Sequence, residues 1–488
     1  MGYWRPWRSV FVCVAVMSLG CHESAAASDP FTDPANWTAY DAGNTGGMFT
    51  RGYFGAAFDG RYVYYAPCRM AAFHGRALRY DTQSPFASPG SWAAYDAGAT
   101  GGLTTVGYAG AVAANGYVYF VPFSDTTSRH ARMLRVNTAG SFTDPGSWSA
   151  YDAGPVVGLP YSGYDGAVSD GRFIYFAPFG YEPYAHGRAL RFDTEGTFTS
   201  AASWTVYDAG QTSGLLTEGY YGAVMDGRHV YFVPFHDGAG FHGRALRYDT
   251  LSGFTNPSSW EAYDAGQTDG MTTVGYKGAC FDGRYIYFAP FRDGSASHGR
   301  VLRYDTQGPF SDPASWTAYD AGATGGLDAR GYVGAEHVGH YIYFIPYSYE
   351  ESEFHAIALR YDTLGGFTDP GSWTAYDAGA SSGLTTKGYK YSAFDGRYLY
   401  YVPYNNGIMF SGIALRYDTA ADLTPTATPA LPTATPTPYT LPTRTPTPTS
   451  AATPTPRPIP AHTSMGLLAL LSALTVPLIH WANRKNQK

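Results

Sequence analysis

Histidine recurs at one place in six of seven long repeats, as His74, His130, His186, His242, His298 and His355. In the first five copies an arginine follows two residues on: Arg76, Arg132, Arg188, Arg244 and Arg300. The sixth and seventh copies carry Ile357 and Ile413 there, and Ser411 replaces the seventh histidine. A ring of imidazoles and guanidiniums around one mouth of a channel would suit an anionic ligand such as an acidic polysaccharide. The alternative for so regular a residue is a hydrogen-bond anchor that fastens the preceding loop.

The segments just before these histidines differ most between copies, and variable loops on a constant scaffold are where binding usually sits. They offer Tyr181, Tyr184, His236, Phe241, Arg292, Tyr349 and Phe354 as stacking and polar groups, with Glu350 and Glu351 beside them. Elimination chemistry on a uronate would take Tyr or His as base and Arg to neutralise the carboxylate. Every copy offers those residue types, so no unique catalytic cluster stands out. Paired-carboxylate hydrolysis is less well supported. Asp and Glu fall mostly in repeated turns, and only Glu182, Glu336, Glu350, Glu351 and Glu353 depart from the pattern. No Cys/His spacing matches a zinc site, and no metal or other cofactor is expected.

The elements that carry these residues are set by a repeat whose ruler is Trp37, Trp92, Trp148, Trp204, Trp260, Trp316 and Trp373. The intervals are 55, 56, 56, 56, 56 and 57 residues. Periods of this size mean an array in which each unit buries its faces against its neighbours. Residues 275–322 show four predicted strands. Gly275 to Phe281 is rich in small residues, which suits a crowded centre. Asp282-Gly283 is a tight turn. Tyr285 to Pro290 is apolar on both faces, as in a sheet sandwiched between two others. Arg300 to Tyr304 and Trp316 to Asp320 complete the unit. The array begins with a fourth-strand phrase at Trp37 and ends with a third-strand phrase, Leu415 to Thr419. An open stack would leave bare edges at both ends. A closed ring repairs both if residues 33–43 complete the last blade, and seven sheets lie within the propeller range. The predicted fold is therefore all-β, a seven-bladed β-propeller of four-stranded antiparallel blades. The repeated Asp-Gly-Arg is expected to be a turn whose Arg pairs with the Asp of Arg-Tyr-Asp-Thr.

Over residues 33–419, the phrases Asp-Gly-Arg-Tyr-Ile-Tyr and Arg-Tyr-Asp-Thr with a downstream Trp resemble the kelch repeat. The likeness departs where kelch repeats end the second strand in Gly-Gly; this chain has Ala-Pro-Phe or Val-Pro-Phe. It implies the propeller fold. Kelch-like propellers include partner-binding modules and enzymes, so it does not imply a function.

The remaining segments point to display outside the cell. Residues 1–27 read as a signal peptide: Arg5 and Arg8, an apolar run from Ser9 to Leu19, then Ala25-Ala26-Ala27. Lipid on Cys21 is the alternative. Residues 28–422 hold the propeller. Residues 423–464 are a Thr/Pro-rich stalk, because proline fixes φ and removes donors. Residues 465–481 lack Asp, Glu, Lys and Arg and read as a short transmembrane anchor, followed by a basic cytoplasmic tail at 482–488. Together they resemble the C-terminal anchors of bacterial surface proteins, though Leu441 to Thr445 matches a sortase signal only in part. The net charge of −7 and the lack of a basic run inside the repeats argue against nucleic acid as a partner. Cys68 and Cys280 fall in blades that do not touch, so both are expected as buried thiols.

The expected function is a monomeric, surface-anchored module that binds a glycan or protein ligand through its loop face. Alternatives are a polysaccharide lyase and a structural surface protein without a specific ligand.

Overall fold

Seven four-stranded antiparallel sheets follow one another around a central channel, with the strand nearest the axis first in sequence in every blade. A computed structural model describes residues 1–2, 29–159, 162–180, 185–350 and 352–423. Apart from residues 1–2, the expected leader lies outside these residues, as do the stalk beyond Leu423, the span and the tail. Among the described residues, no helix is long and apolar enough to cross a membrane.

The fifth blade is typical: Tyr276–Phe281, Tyr285–Pro290, Arg300–Asp305 and Trp316–Asp320. The ring closes as expected. Trp37–Asp41 pairs antiparallel with Ile413–Asp418, register Trp37 to Tyr417, and is the fourth strand of the seventh blade. Second strands are buried on both faces because each sheet lies between two others. Between blades, a Tyr from one fourth strand stacks on the Trp of the next. Seven such pairs, from Tyr40–Trp92 round to Tyr376–Trp37, have ring centroids 5.0–5.5 Å apart and interplanar angles of 17–28°. Each indole N–H donates to the carbonyl of a Phe six residues earlier, as Trp316 does to Phe310 at 2.9 Å. These contacts use both the apolar body and the polar handle of Trp.

The Asp-Gly-Arg turns behave as expected. Asp282 accepts from the amides of Arg284 and Tyr285, and Gly283 takes φ +103°. Arg61, Arg172, Arg228, Arg284 and Arg397 each pair with the Asp that ends their blade's third strand, at 2.7–2.8 Å. Cys68 and Cys280 are buried free thiols.

The innermost strand is not a regular strand. In every blade from the first to the seventh its pairing register shifts around one residue, as between Tyr276 and Ala279. Such a bulge leaves a residue unpaired and re-aims its neighbours. In six blades the bulge holds a glycine with φ between +72° and +118°: Gly55, Gly110, Gly166, Gly222, Gly278 and Gly334. A Cβ on Gly55 would stand 2.6 Å from the Cα of Gly110, so backbones meet too closely at the axis for a side chain.

Candidate functional site

The six histidines are anchors. Each Nε2–H donates to a backbone carbonyl leading into the blade's first strand, at 2.8–3.2 Å. Each Nδ1 accepts from the amide two residues on, at 3.2–3.3 Å. Those partners fix the tautomer. Each ring also meets edge-on the first tyrosine of its blade. Burial lowers the imidazole pKa values to about 3 to 4, so the rings stay neutral. In the seventh blade Ser411 Oγ takes the amide of Ile413 instead, at 3.1 Å. The arginines two residues on are turned to carboxylates: Arg76 to Asp96, Arg132 to Asp125, Arg188 to Asp208, Arg244 to Asp237 and Arg300 to Asp293. Both sets, the six histidines and the five arginines, thus have partners near their own blade. Replacing His186 by alanine strands the Gly163 carbonyl and the Arg188 amide. It should cost about 1–3 kcal/mol in a thermal or urea melt.

The channel mouth is built from two other positions. One is the residue that follows proline at the end of the second strand: Cys68, Phe123, Phe179, Phe235, Phe291, Tyr347 and Tyr404. This gives an aromatic wall with a gap at the first blade. The other follows Gly-Tyr in the innermost strand, where the bulge aims it at the axis. There the blades carry Phe54, Ala109, Asp165, Tyr221, Lys277, Val333 and Lys390. Between an unvarying Gly-Tyr and a near-unvarying Gly, this position differs among the blades, and the ring loses its symmetry here as well as in the loops.

The seven wall residues, with Phe54, Tyr221, Lys277 and Lys390 of the inner position, line a bowl of about 420 Å³ on the face that carries the loops between second and third strands. Lys277 Nζ lies 3.7 Å from the ring centre of Phe291 and 4.5 Å from that of Tyr221. Lys390 Nζ lies 4.0 Å from the ring centres of both Phe54 and Tyr404. Among the described residues neither ammonium meets a carboxylate or hydrogen-bond partner at contact distance. Arg129 spreads over Phe123 and Phe179, and its Nη1 is buried without a partner. Arg69 and Arg292 stand at the rim, Arg292 paired with Glu350 at 3.0 Å. Asp165 is fully buried among the inner strands. One of its oxygens accepts from the Tyr391 hydroxyl at 3.1 Å, and the other has no partner.

Burial dominates the electrostatics. It pushes the Asp165 carboxyl up to about 8, against the pull of Lys390, Lys277 and Arg129. It lowers Lys390 to about 8 and Lys277 well below the usual lysine range. The bowl is thus lined by five basic side chains, Arg69, Arg129, Lys277, Arg292 and Lys390, with the buried Asp165 behind the inner strands and Glu350 paired to Arg292 at the rim. Desolvated cations on aromatic faces favour an entering anion.

Tyr391 closes the floor. It occupies the bulge position that is glycine in the other six blades, and its φ is +62°. Its ring stacks on Phe54 at 5.9 Å and on Tyr221 at 6.4 Å. Below it a second cavity of about 410 Å³ is lined by glycines and alanines of the inner strands, with Glu336 and Ser392. Ser392 donates to Glu336 at 3.0 Å, and burial raises that carboxyl to about 7.

Of the loop residues expected to bind, Phe241 and Arg292 line the bowl. His236 packs against Phe241 with ring centres 4.9 Å apart and accepts from the Gly238 amide at 3.0 Å. Phe354 packs edge-on against the wall residue Tyr347. Tyr349 turns away, stacked on His355 at 4.4 Å with its hydroxyl on the Asp328 carbonyl. Tyr181 and Tyr184 lie outside the described residues, as do Glu182 and Glu351. Among the described residues no cluster of His, Cys, Asp and Glu has the geometry to hold a metal ion. Neither a protein-family model nor a curated protein matches the chain.

Proposed function

We propose that this propeller is a surface-anchored binding module that takes an acidic glycan in the bowl. The observation that carries the reading is the convergence of Arg69, Arg129, Lys277, Arg292 and Lys390 on an aromatic-walled cavity of about 420 Å³. That volume is typical of small-molecule sites, about 300–1,000 Å³. The cations match carboxylates or sulfates, and the rings give flat platforms for the apolar faces of sugars. Lys277 and Lys390 are recessed, each 8% exposed, so a ligand must enter the bowl rather than lie across it. That favours a slender glycan over the broad surface of a folded protein. The kelch likeness supports the blade plan and carries no ligand. Display outside the cell rests on the leader, stalk, span and tail read from the sequence.

The lyase alternative finds its cations here but lacks a good base. The phenols of Tyr221 in the floor and Tyr404 on the wall are pushed up by burial, and the histidines are engaged elsewhere. Titration of the full-length chain with uronic-acid oligosaccharides, acidic peptides and inorganic phosphate tests the reading. Selective glycan binding without product is expected. Release of unsaturated sugar would replace binding with elimination, and a preference for acidic peptides would make the partner a protein.

The pH dependence has a definite sign. Above about 8 Lys390 loses its proton and Asp165 gains its negative charge, and both changes remove positive charge from the bowl. Affinity for an acidic oligosaccharide should therefore fall as the pH rises through about 8. Binding should take up protons near that pH, which calorimetry in buffers of different ionisation enthalpy would show.

A further inference from the structure

We infer that the bowl is a blind pocket that receives the end of an acidic glycan chain, not a stretch within it. This rests on the acidic-glycan reading above. A propeller channel can run from face to face, but here Phe54, Tyr221 and Tyr391 form a three-ring floor across it. The Tyr391 ring reaches across the axis: a Cβ on Gly222, Gly278 or Gly334 would stand 2.9–3.0 Å from it. Its hydroxyl is tied to Asp165 on the far wall.

Two further observations give the floor a role. Tyr391 sits in the left-handed region at a bulge where the other blades use glycine. A bulky side chain is strained there, and such strain clusters at functional sites. The cations are also graded by depth. Arg69 is exposed at the rim, whereas Lys277 and Lys390 stand close to the floor. An internal stretch of polymer crossing the mouth meets only the rim. A carboxylate that reaches both lysines must be carried inward on a residue with nothing beyond it, because the way out is shut.

The test compares uronic-acid trimers with their parent polymers of graded length, from galacturonan, alginate and hyaluronan, on the full-length chain. The expected result is that trimers bind and that sites per gram of polymer fall in proportion as chains lengthen. Sites per gram that stay constant while trimers bind would overturn end recognition and leave the acidic-glycan reading standing. No binding by any trimer or polymer would sink that reading, and the inference with it. Tyr391→Gly supplies a second readout. Six blades already carry glycine here, so the variant should fold, melting somewhat lower because Asp165 loses its partner, while trimer affinity falls by about tenfold or more. Unchanged trimer affinity in the folded variant would overturn the role of the floor.

Discussion

Replacing Lys277 and Lys390 together by methionine should abolish acidic-oligosaccharide binding without loss of stability. Each ammonium, once it meets an anion, makes a charge-assisted hydrogen bond worth about 1.5–3 kcal/mol. Losing two weakens binding by about two to four orders of magnitude. The folded protein loses little. Methionine keeps an unbranched stem and offers its sulfur to Phe291 and Tyr404, which now face the ammoniums. The substitution also removes two desolvated amino groups that no carboxylate offsets at contact distance and whose charged forms burial disfavours, so the melting temperature should hold or rise. Calorimetric titration and thermal melting of the same samples separate the two effects. Arg228→Met is the matched control, because Arg228 sits in an exposed turn on the opposite face and pairs with Asp249. Its affinity should equal that of the parent chain. Equal losses in both would mean that general charge, not the bowl, attracts the ligand.

The propeller was legible because its signals are periodic and redundant. Seven tryptophans mark the period, and a first strand that belongs to the last sheet marks the closure. The Arg–Asp pairing of the turns was legible for the same reason. The site was only partly so. The repeated histidines drew notice because imidazole does chemistry, yet repetition in six blades is the mark of a structural anchor, which was the alternative weighed for them. The residues that build the bowl sit in the innermost strand, where simple alternation fails: the bulge between Tyr276 and Ala279 and its six counterparts reset which side chains face the axis. Reading small residues there as a crowded centre was right for Gly55 and Gly110 but passed over the residue before each glycine. A signal was present. The position reads Phe, Ala, Asp, Tyr, Lys, Val, Lys through the seven blades, and Tyr391 replaces a glycine that the other six keep. Copies disagree in the loops and in the sixth and seventh blades as well as at this inner position. Of the variable loop residues, Phe241 and Arg292 line the bowl.

Among the described residues only the sixth blade has a charge cluster that joins both ends of the ring, and breaking it should be the most destabilising of the single changes named above. In that blade Arg360 stacks on Tyr341 and on Phe31 of the seventh blade, as its counterparts do in other blades. Among the described residues it alone of this set holds two carboxylates, one from each end of the described propeller: Asp29 and Asp422. The Asp422 side chain is fully buried and accepts from the Tyr343 hydroxyl as well. Asp29 accepts from Thr374 at 3.2 Å. The chain that enters the closing strand and the chain that leaves the third strand are thus clasped to one guanidinium. Removing one partner of a buried pair costs about 3–5 kcal/mol, because the other charges remain without compensation. Arg360→Met should therefore lose about that much in a urea melt. Replacing all three charges together, as Asp29→Asn, Arg360→Met and Asp422→Asn, should recover most of the loss. If the single variant melts like the parent, Phe31 and Trp37 hold the ring through packing alone. If the triple variant is no better than the single one, the clasp contributes attraction beyond the relief of buried charge, and the two ends need it to meet.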